Sequence, residues 1–380
     1  MTSHQDTNGE NDERTDYRAT DTPNDKTFIY HGRLIDPASN QLCEVILTHE
    51  SIREIPNDAF GRCPNLRKFQ LHSRLTRIGD SAFIYCRNLH DVNWEDASSL
   101  THIGDKAFHR TRLINVSLPD SLTHVGNEAF RECRKLESIN FPGSIISMGT
   151  EVCRFCSALT SLNIAEGIIE LSPYSFAYCK KLECITLPST VRVIRHGAFW
   201  GAKKLREIEW SSNGALESQL HAVGKWAFAD CFSLQQVWLP DSLQQLRTNA
   251  FGACHNLLHL RFPPNLARVE YNNAGALLLN QCDSLIHVTG RVDEECIRWL
   301  NYTQRRDPST VFYADGQRRI LLGDSPCLWP HIWAPLLRFD ESDFRGSMQA
   351  RHTLVWNQLR ENLPKLLEKR QTPSRKRALV

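Results

Sequence analysis

Leu122-Thr-His-Val-Gly-Asn-Glu-Ala-Phe-Arg-Glu-Cys-Arg-Lys-Leu136, continuing Glu-Ser-Ile-Asn-Phe-Pro-Gly143, holds one whole unit of a pattern that runs through most of this chain. Leu136, Ile139 and Phe141 are expected to point inward, and the last two alternate with Ser138 and Asn140. That period of two marks a half-buried strand. Pro142 closes the strand, because proline has no N–H to give a ladder; Pro119, Pro188, Pro240 and Pro263 stand at the same point of other copies. Leu122 and Val125 read as a second, shorter extended segment. Gly126, matched by Gly79, Gly104, Gly149 and Gly224, reads as a tight turn. Asn127 to Cys133 reads as a short helix or 3₁₀ piece that plugs Ala129 and Phe130 into the core.

The Ala-Phe pair recurs at Phe60, Phe83, Phe108, Phe199, Phe228 and Phe251, and as Ser175-Phe176. Phe60 to Phe83, Phe176 to Phe199 and Phe228 to Phe251 are each 23 residues. A fixed period of about 20–29 residues built on leucine positions signals a solenoid of stacked coils. Each coil packs only on its neighbours, so the core grows in one dimension. Each buried Phe contributes about 1.5–3 kcal/mol through the area it buries. About ten coils at roughly 4.8 Å give a parallel strand array on the order of 45–50 Å long.

Eight cysteines fall in one slot of the unit, three residues after the Phe position: Cys63, Cys86, Cys133, Cys156, Cys179, Cys231, Cys254 and Cys282. Thr111 and Ala202 take that slot in two copies, so it reads as a place for a small, mostly apolar side chain. Buried free thiols are expected there, although adjacent coils bring the sulfurs near bonding distance. Cys153-Arg-Phe-Cys156 has the spacing of a redox or zinc pair. In register, however, Cys153 takes the Phe place and Cys156 the usual Cys place.

Composition is globular, 41% apolar and 23% charged, enough to bury a core. The net charge of +2 gives no global bias toward nucleic acid or anionic membrane. No stretch approaches the roughly 20 apolar residues of a membrane span. Residues 1–27 are polar and acid-rich, lack the basic start and apolar core of a secretory signal, and read as a disordered arm. The expected location is therefore intracellular, cytoplasmic or, if the tail acts in import, nuclear.

The pattern Leu-x-x-Ile-Gly-x-x-Ala-Phe-x-x-Cys-x-x-Leu-x-x-Ile-x-Leu-Pro resembles the BspA-like, Treponema-type branch of leucine-rich repeat proteins, over about residues 42–290. The resemblance implies a curved solenoid that binds other macromolecules, with no catalytic residues to carry over. Val152-Cys153 and Leu278-Leu279 depart from the Ala-Phe pair, and one residue is missing between Phe108 and Leu113. Ser325-Pro-Cys-Leu-Trp-Pro-His-Ile332 is similar to tails of some algal, diatom-type members. Insertions at Ser211–Gln219 and near Glu270–Gly275 read as loops, which in solenoids often emerge on a binding face.

The expected architecture is thus a β-rich leucine-rich-repeat solenoid over 28–290, begun by a cap containing Phe28-Ile-Tyr30 and Val45-Ile-Leu47. A helical C-terminal cap over 291–370 follows, including a hairpin around Asp315-Gly316, and then a basic tail over 371–380. Arg370, Arg375, Lys376 and Arg377 resemble an import or polyanion-binding patch, the one route to nucleic acid. No nucleophile, metal or phosphate-binding constellation is found, so neither enzyme activity nor a cofactor is expected.

The expected functional surface is the outward side of the strands. Its later part is the most distinctive: acidic Glu207 and Glu209, an outward Trp238, then His259, Arg261 and His287. Trp and Arg are common anchors of protein interfaces. Trp94 and Trp210 fall at inward positions. The expectation is a non-enzymatic interaction module or scaffold that binds a protein partner through the concave strand face. The alternative is a surface adhesin or glycan binder exported without a recognisable signal.

Overall fold

A computed structural model describes residues 27–29, 44–47, 51–211, 217–263, 266, 268–269, 282, 287–289, 312–313 and 319–320. The coils lie in one compact unit; a second, over 306–311 and 319–380, is described only at Arg319–Ile320.

Two ladders of parallel strands carry the coils. The front ladder runs as four sheets. Thr27–Ile29, Glu44–Ile46, Lys68–Gln70 and Asp91–Val92 form the first, and Asn115–Ser117, Ser138–Phe141 and Ser161–Ile164 the second. Cys184–Leu187 pairs with Glu207–Trp210, and Gln236–Trp238 with His259–Arg261 and then His287–Thr289. The back ladder is made of two-residue strands, such as His124–Val125 between His102–Ile103 and Ser147–Met148. Register advances one coil at a time, so Ser138, Ile139 and Asn140 face Asn115, Val116 and Ser117. The alternation read from Ile139 and Phe141 holds: both are buried, while Asn140 is exposed.

The turn from Asn127 to Cys133 is neither helix nor 3₁₀. Glu128 and Glu132 have φ of 56° and 58°, in the left-handed region. Alternating handedness sends alternate N–H groups out to the next coil: Glu128, Phe130 and Glu132 donate to the carbonyls of Thr150, Val152 and Arg154, each at 2.8 Å. Between them, Arg131 and Cys133 close tight bonds to Glu128 and Phe130 at 3.0 and 3.3 Å. A helix would keep all these bonds within one segment. Sixteen non-glycine residues adopt this strained conformation, two per coil in eight coils, with Gly197 and Gly201 in the ninth. Each non-glycine costs about 1–2 kcal/mol, an expense that the third inter-coil ladder offsets. Nine complete turns are described; the tenth, at Leu278-Leu279, lies outside the described residues.

The glycines matching Gly126 need no unusual φ; they permit close approach. A Cβ on Gly126 would lie 2.5 Å from the Asp105 nitrogen and from the Gly104 carbonyl carbon. Asp105 Oδ1 accepts from the Asn127 N–H at 2.6 Å, pinning the two coils at that point.

The repeated phenylalanines stack as a column. Ring centroids are 5.2 Å apart from Phe60 to Phe83, 5.0 Å from Phe83 to Phe108 and 5.4 Å from Phe108 to Phe130. Such spacings are favourable for aromatic pairs. Cys153 interrupts the column, and Phe141 meets Phe176 edge-on at 5.8 Å in that region.

The cysteine slot does more than fill space. Cys86 Sγ donates to Phe60 O at 2.9 Å, Cys133 to Phe108 O and Cys156 to Phe130 O at 3.1 Å, and Cys254 to Phe228 O at 3.2 Å. Each thiol thus gives a second bond to a phenylalanine carbonyl in the preceding coil. Thr111, in the same slot, donates to its own coil's Phe108 O at 3.0 Å. Among the described residues the slot cysteines from Cys63 to Cys282 form no disulfide and are buried, as is Cys153, while Cys184 on the front face is exposed. Burial pushes the Cys153, Cys179 and Cys231 thiols up, so they keep their protons.

No helix is described in 291–370, so a helical cap has no support there. The described residues, Phe312–Tyr313 and Arg319–Ile320, are strands in the segment read as a hairpin. Residues 1–26, the Glu270–Gly275 insertion and the 371–380 tail lie outside the described residues.

Candidate functional site on the front strand face

Strand alternation gives the front face its residues. With Leu187, Trp210 and Leu239 committed to the core, Glu207, Glu209, Gln236 and Trp238 have only the outer side left. Trp94 and Trp210 are buried, as their inward positions require.

Glu207 and Glu209 are both half-buried on one strand. Burial pushes the Glu207 carboxyl up, and the neighbouring Glu209 adds to this. Glu209 accepts from the Thr186 hydroxyl at 2.9 Å across the sheet, which fixes its position. The Trp238 ring lies half-buried against the His259 ring, centroids 5.1 Å apart and planes 17° from parallel. His259 is therefore 6% exposed and not the solvated group its outward position suggests. Arg261 pairs with Trp238 in register and donates to Asp241 Oδ1 at 2.9 Å, so much of its charge is already compensated. His287 follows His259 in register, and its side chain lies outside the described residues.

One sheet thus brings Trp238, His259 and Arg261 together. Glu207 and Glu209 belong to the separate preceding sheet, with the Ser211–Gln219 insertion between. Arg370, Arg375, Lys376 and Arg377 lie outside the described residues. The arrangement can offer a rigid aromatic face flanked by carboxylates and one guanidinium. Among the described residues no three His, Cys, Asp or Glu gather as a metal site. No described helix is long and apolar enough to cross a membrane.

A second surface was missed from sequence. The left-handed residues before Ala-Phe and before Cys point their side chains away from the core, and in the middle coils they include the aromatics Phe155, Tyr174, Tyr178 and Trp226. The Arg154 guanidinium lies 4.9 Å from the Phe155 ring and 5.2 Å from Tyr174. Trp200 stands 5.3 Å from Tyr178 and donates its indole N–H to Asp230 at 2.9 Å. Gly197 and Gly201 adjoin this patch: a Cβ on either would strike the Tyr174 or Tyr178 ring at 2.3 or 2.7 Å. Reading those two positions down the coils would have found its left-handed aromatics, though not Trp200, which follows Phe199.

The chain resembles a leucine-rich repeat protein from Bacteroides ovatus at 20% identity, covering 73% of this chain and 85% of that one, with a TM-score of 0.33. It also resembles the pneumococcal vaccine antigen PcpA at 19% identity, covering 70% and 78%, with a TM-score of 0.42. A leucine-rich cell surface protein from Faecalibacterium prausnitzii is 18% identical, covering 75% and 92%, with a TM-score of 0.34. No curated protein matches the chain. The BspA type leucine rich repeat region matches in six copies over 38–116, 101–215 and 170–289. With the Ala-Phe turns, the cysteine slot and both strand ladders repeating across those same residues, the chain belongs to the BspA-type leucine-rich repeat family.

Proposed function

We propose that this protein is a non-catalytic interaction module that binds a protein partner through its front strand face, at residues 207–261. The observation that carries the reading is the Trp238–His259 ring pair, held on rigid strands beside Glu207, Glu209 and Arg261. An aromatic side chain already braced on one face loses little freedom on binding, which favours affinity. Trp and Arg dominate the energy of protein interfaces, and the flanking carboxylates supply charge selectivity. Membership in a repeat family that generally mediates protein interactions or adhesion supports the reading. The protein acts inside the cell, where reducing conditions keep its buried thiols free.

The test is a crosslinking pull-down from cell extract, comparing wild type with a Trp238→Ala, Glu209→Ala, Arg261→Ala variant. A partner captured by wild type and lost in the variant supports the reading. Equal capture by both removes the front face from consideration. Cell fractionation checks the location, and an exclusively surface-exposed pool would favour the adhesin reading instead.

A further inference from the structure

Two adjoining clefts on the flank of the first coils are lined by cations drawn from different coils. One, of about 520 Å³, is bounded by Arg67, Arg112, Lys135, Ile114 and Asn88, with Glu137 as its acidic member. The other, of about 650 Å³, takes Arg62, Arg87 and Arg110, with Tyr85 and the shared Asn88. Asn88 is fixed by its donation to Pro64 O at 2.6 Å. Arg110 forms a bidentate pair with Glu132. Arg62, Arg67, Arg87, Arg112 and Lys135 are exposed and make no ion pair among the described residues.

The sequence explains the recess. Two residues lie between Cys86 and Leu89 and between Cys133 and Leu136, but one lies between Thr111 and Leu113. The shortened coil has one residue fewer at this corner, and its Arg112 lines the cleft together with Asn88 and Lys135 of the neighbouring coils. Meanwhile Arg62, Tyr85 and Arg110 are successive left-handed residues, which turns their side chains outward in one column.

We propose that these paired clefts dock an extended acidic peptide segment of a protein partner, a site separate from the Trp238 face. Guanidinium groups match carboxylates in planar, two-point fashion, and the unpaired cations await such groups. Four coils cover about 14 Å at the usual strand spacing, close to the reach of about four extended residues. Ile114, 39% exposed among the cations, offers contact to one apolar side chain of such a peptide. A uniformly polar sulfated glycan would leave that contact unused. Single-stranded nucleic acid is favoured by open aromatic faces. Here the Tyr85 ring is covered by the guanidiniums of Arg62 and Arg110 at 5.8 and 5.3 Å.

The test is fluorescence anisotropy on the full chain, with labelled Glu-Asp-Glu-Leu-Glu-Asp-Glu as the probe. A sulfated heparin octasaccharide and a twelve-residue oligouridylate serve as competitors. Saturable, salt-sensitive binding is expected, weakened about tenfold by the Arg67→Ala, Arg112→Ala, Lys135→Ala variant. Ile114→Ser, or Leu→Gly in the probe, is expected to weaken it by a few-fold. Trp238→Ala is expected to leave it unchanged, which separates this site from the front face. Circular dichroism checks that the variants keep their fold. Absence of saturable binding, no response to the triple variant, or tighter binding of either competitor would overturn the proposal.

Discussion

Gly126→Ala tests whether the coils are held by close backbone approach. The new Cβ would meet the Asp105 nitrogen and the Gly104 carbonyl carbon at 2.5 Å, and ordinary contact begins at 3.4 Å. Neither atom is the end of a flexible side chain, so the two coils must part by about 0.9 Å, the difference between those distances. Two bonds sit at that point: Gly126 N–H to Ile103 O at 2.8 Å, and Asn127 N–H to Asp105 Oδ1 at 2.6 Å. Losing both costs about 1 kcal/mol each, and the steric strain adds about 1–3 kcal/mol. Alanine's stiffer unfolded chain returns about 0.4–1 kcal/mol. The net expectation is destabilisation of about 2–4.5 kcal/mol, summed from those contributions. At about 2–4 °C per kcal/mol for a domain of this size, the Tm should fall by roughly 5–15 °C. Urea unfolding followed by circular dichroism measures the change. Hydrogen exchange should rise first at 102–105 and 124–128, because coils couple to their neighbours. Gly61→Ala is the control, since its Cβ would meet neighbours at 3.3 Å and can be absorbed by small shifts. A Gly126→Ala protein within about 0.5 kcal/mol of wild type, or equal to Gly61→Ala, would refute the reasoning.

Burial holds the His102, His109 and His196 imidazoles below their ordinary pKa; at His109 it outweighs the Glu128 and Glu132 carboxylates. A base with a lowered folded pKa takes up protons more readily when unfolded. Stability is therefore full above about pH 6.5 and declines as pH falls through the folded values; His109→Gln should decline less in a urea titration at both ends of that range. At Glu132, burial opposes ionisation but the Arg110 and Arg134 hydrogen bonds outweigh it, so the carboxyl sits below its ordinary range. Its contribution is present above about pH 4.3 and lost as pH falls further, and Arg110→Gln should flatten that acid limb. Among the cysteines of the described residues, maleimide should label Cys184 alone in native protein, as read by peptide mass spectrometry, and the buried thiols after unfolding. Phe130→Ala should cost about 3–5 kcal/mol, since Phe130 is fully buried and stacked on Phe108; a loss below about 1 kcal/mol would deny the column its role.

The period, the inward strand positions and the buried cysteine slot were legible because each is a residue type repeated at fixed spacing. Ile139, Phe141, Cys133 and Phe130 all sit where the pattern put them. The left-handed turns were not legible. Glu128 and Glu132 look like any exposed acidic residues, and their φ is set by bonds to a coil 22 residues away. The tight turns read at the glycines are present, with Gly79 and Gly104 carbonyls accepting from the Ala82 and Ala107 N–H groups, but the crowding that requires glycine was not legible, since at Gly126 it comes from Gly104 and Asp105 in the preceding coil. His259 was read only as an outward residue, because alternation reports the side of a strand and not what lies across it; Trp238 covers it. The basic clefts were hidden because Arg62, Arg87 and Arg110 are far apart in sequence and meet only when coils are stacked.

The functional claim is most directly tested by placing a photoreactive phenylalanine at position 238, and in a separate protein at Ser147, which is exposed on the back ladder. After irradiation in cells, the account predicts a discrete covalent adduct with one partner from position 238 and none from position 147. Adducts from position 147 alone, or the same adducts from both positions, would contradict binding through the front strand face.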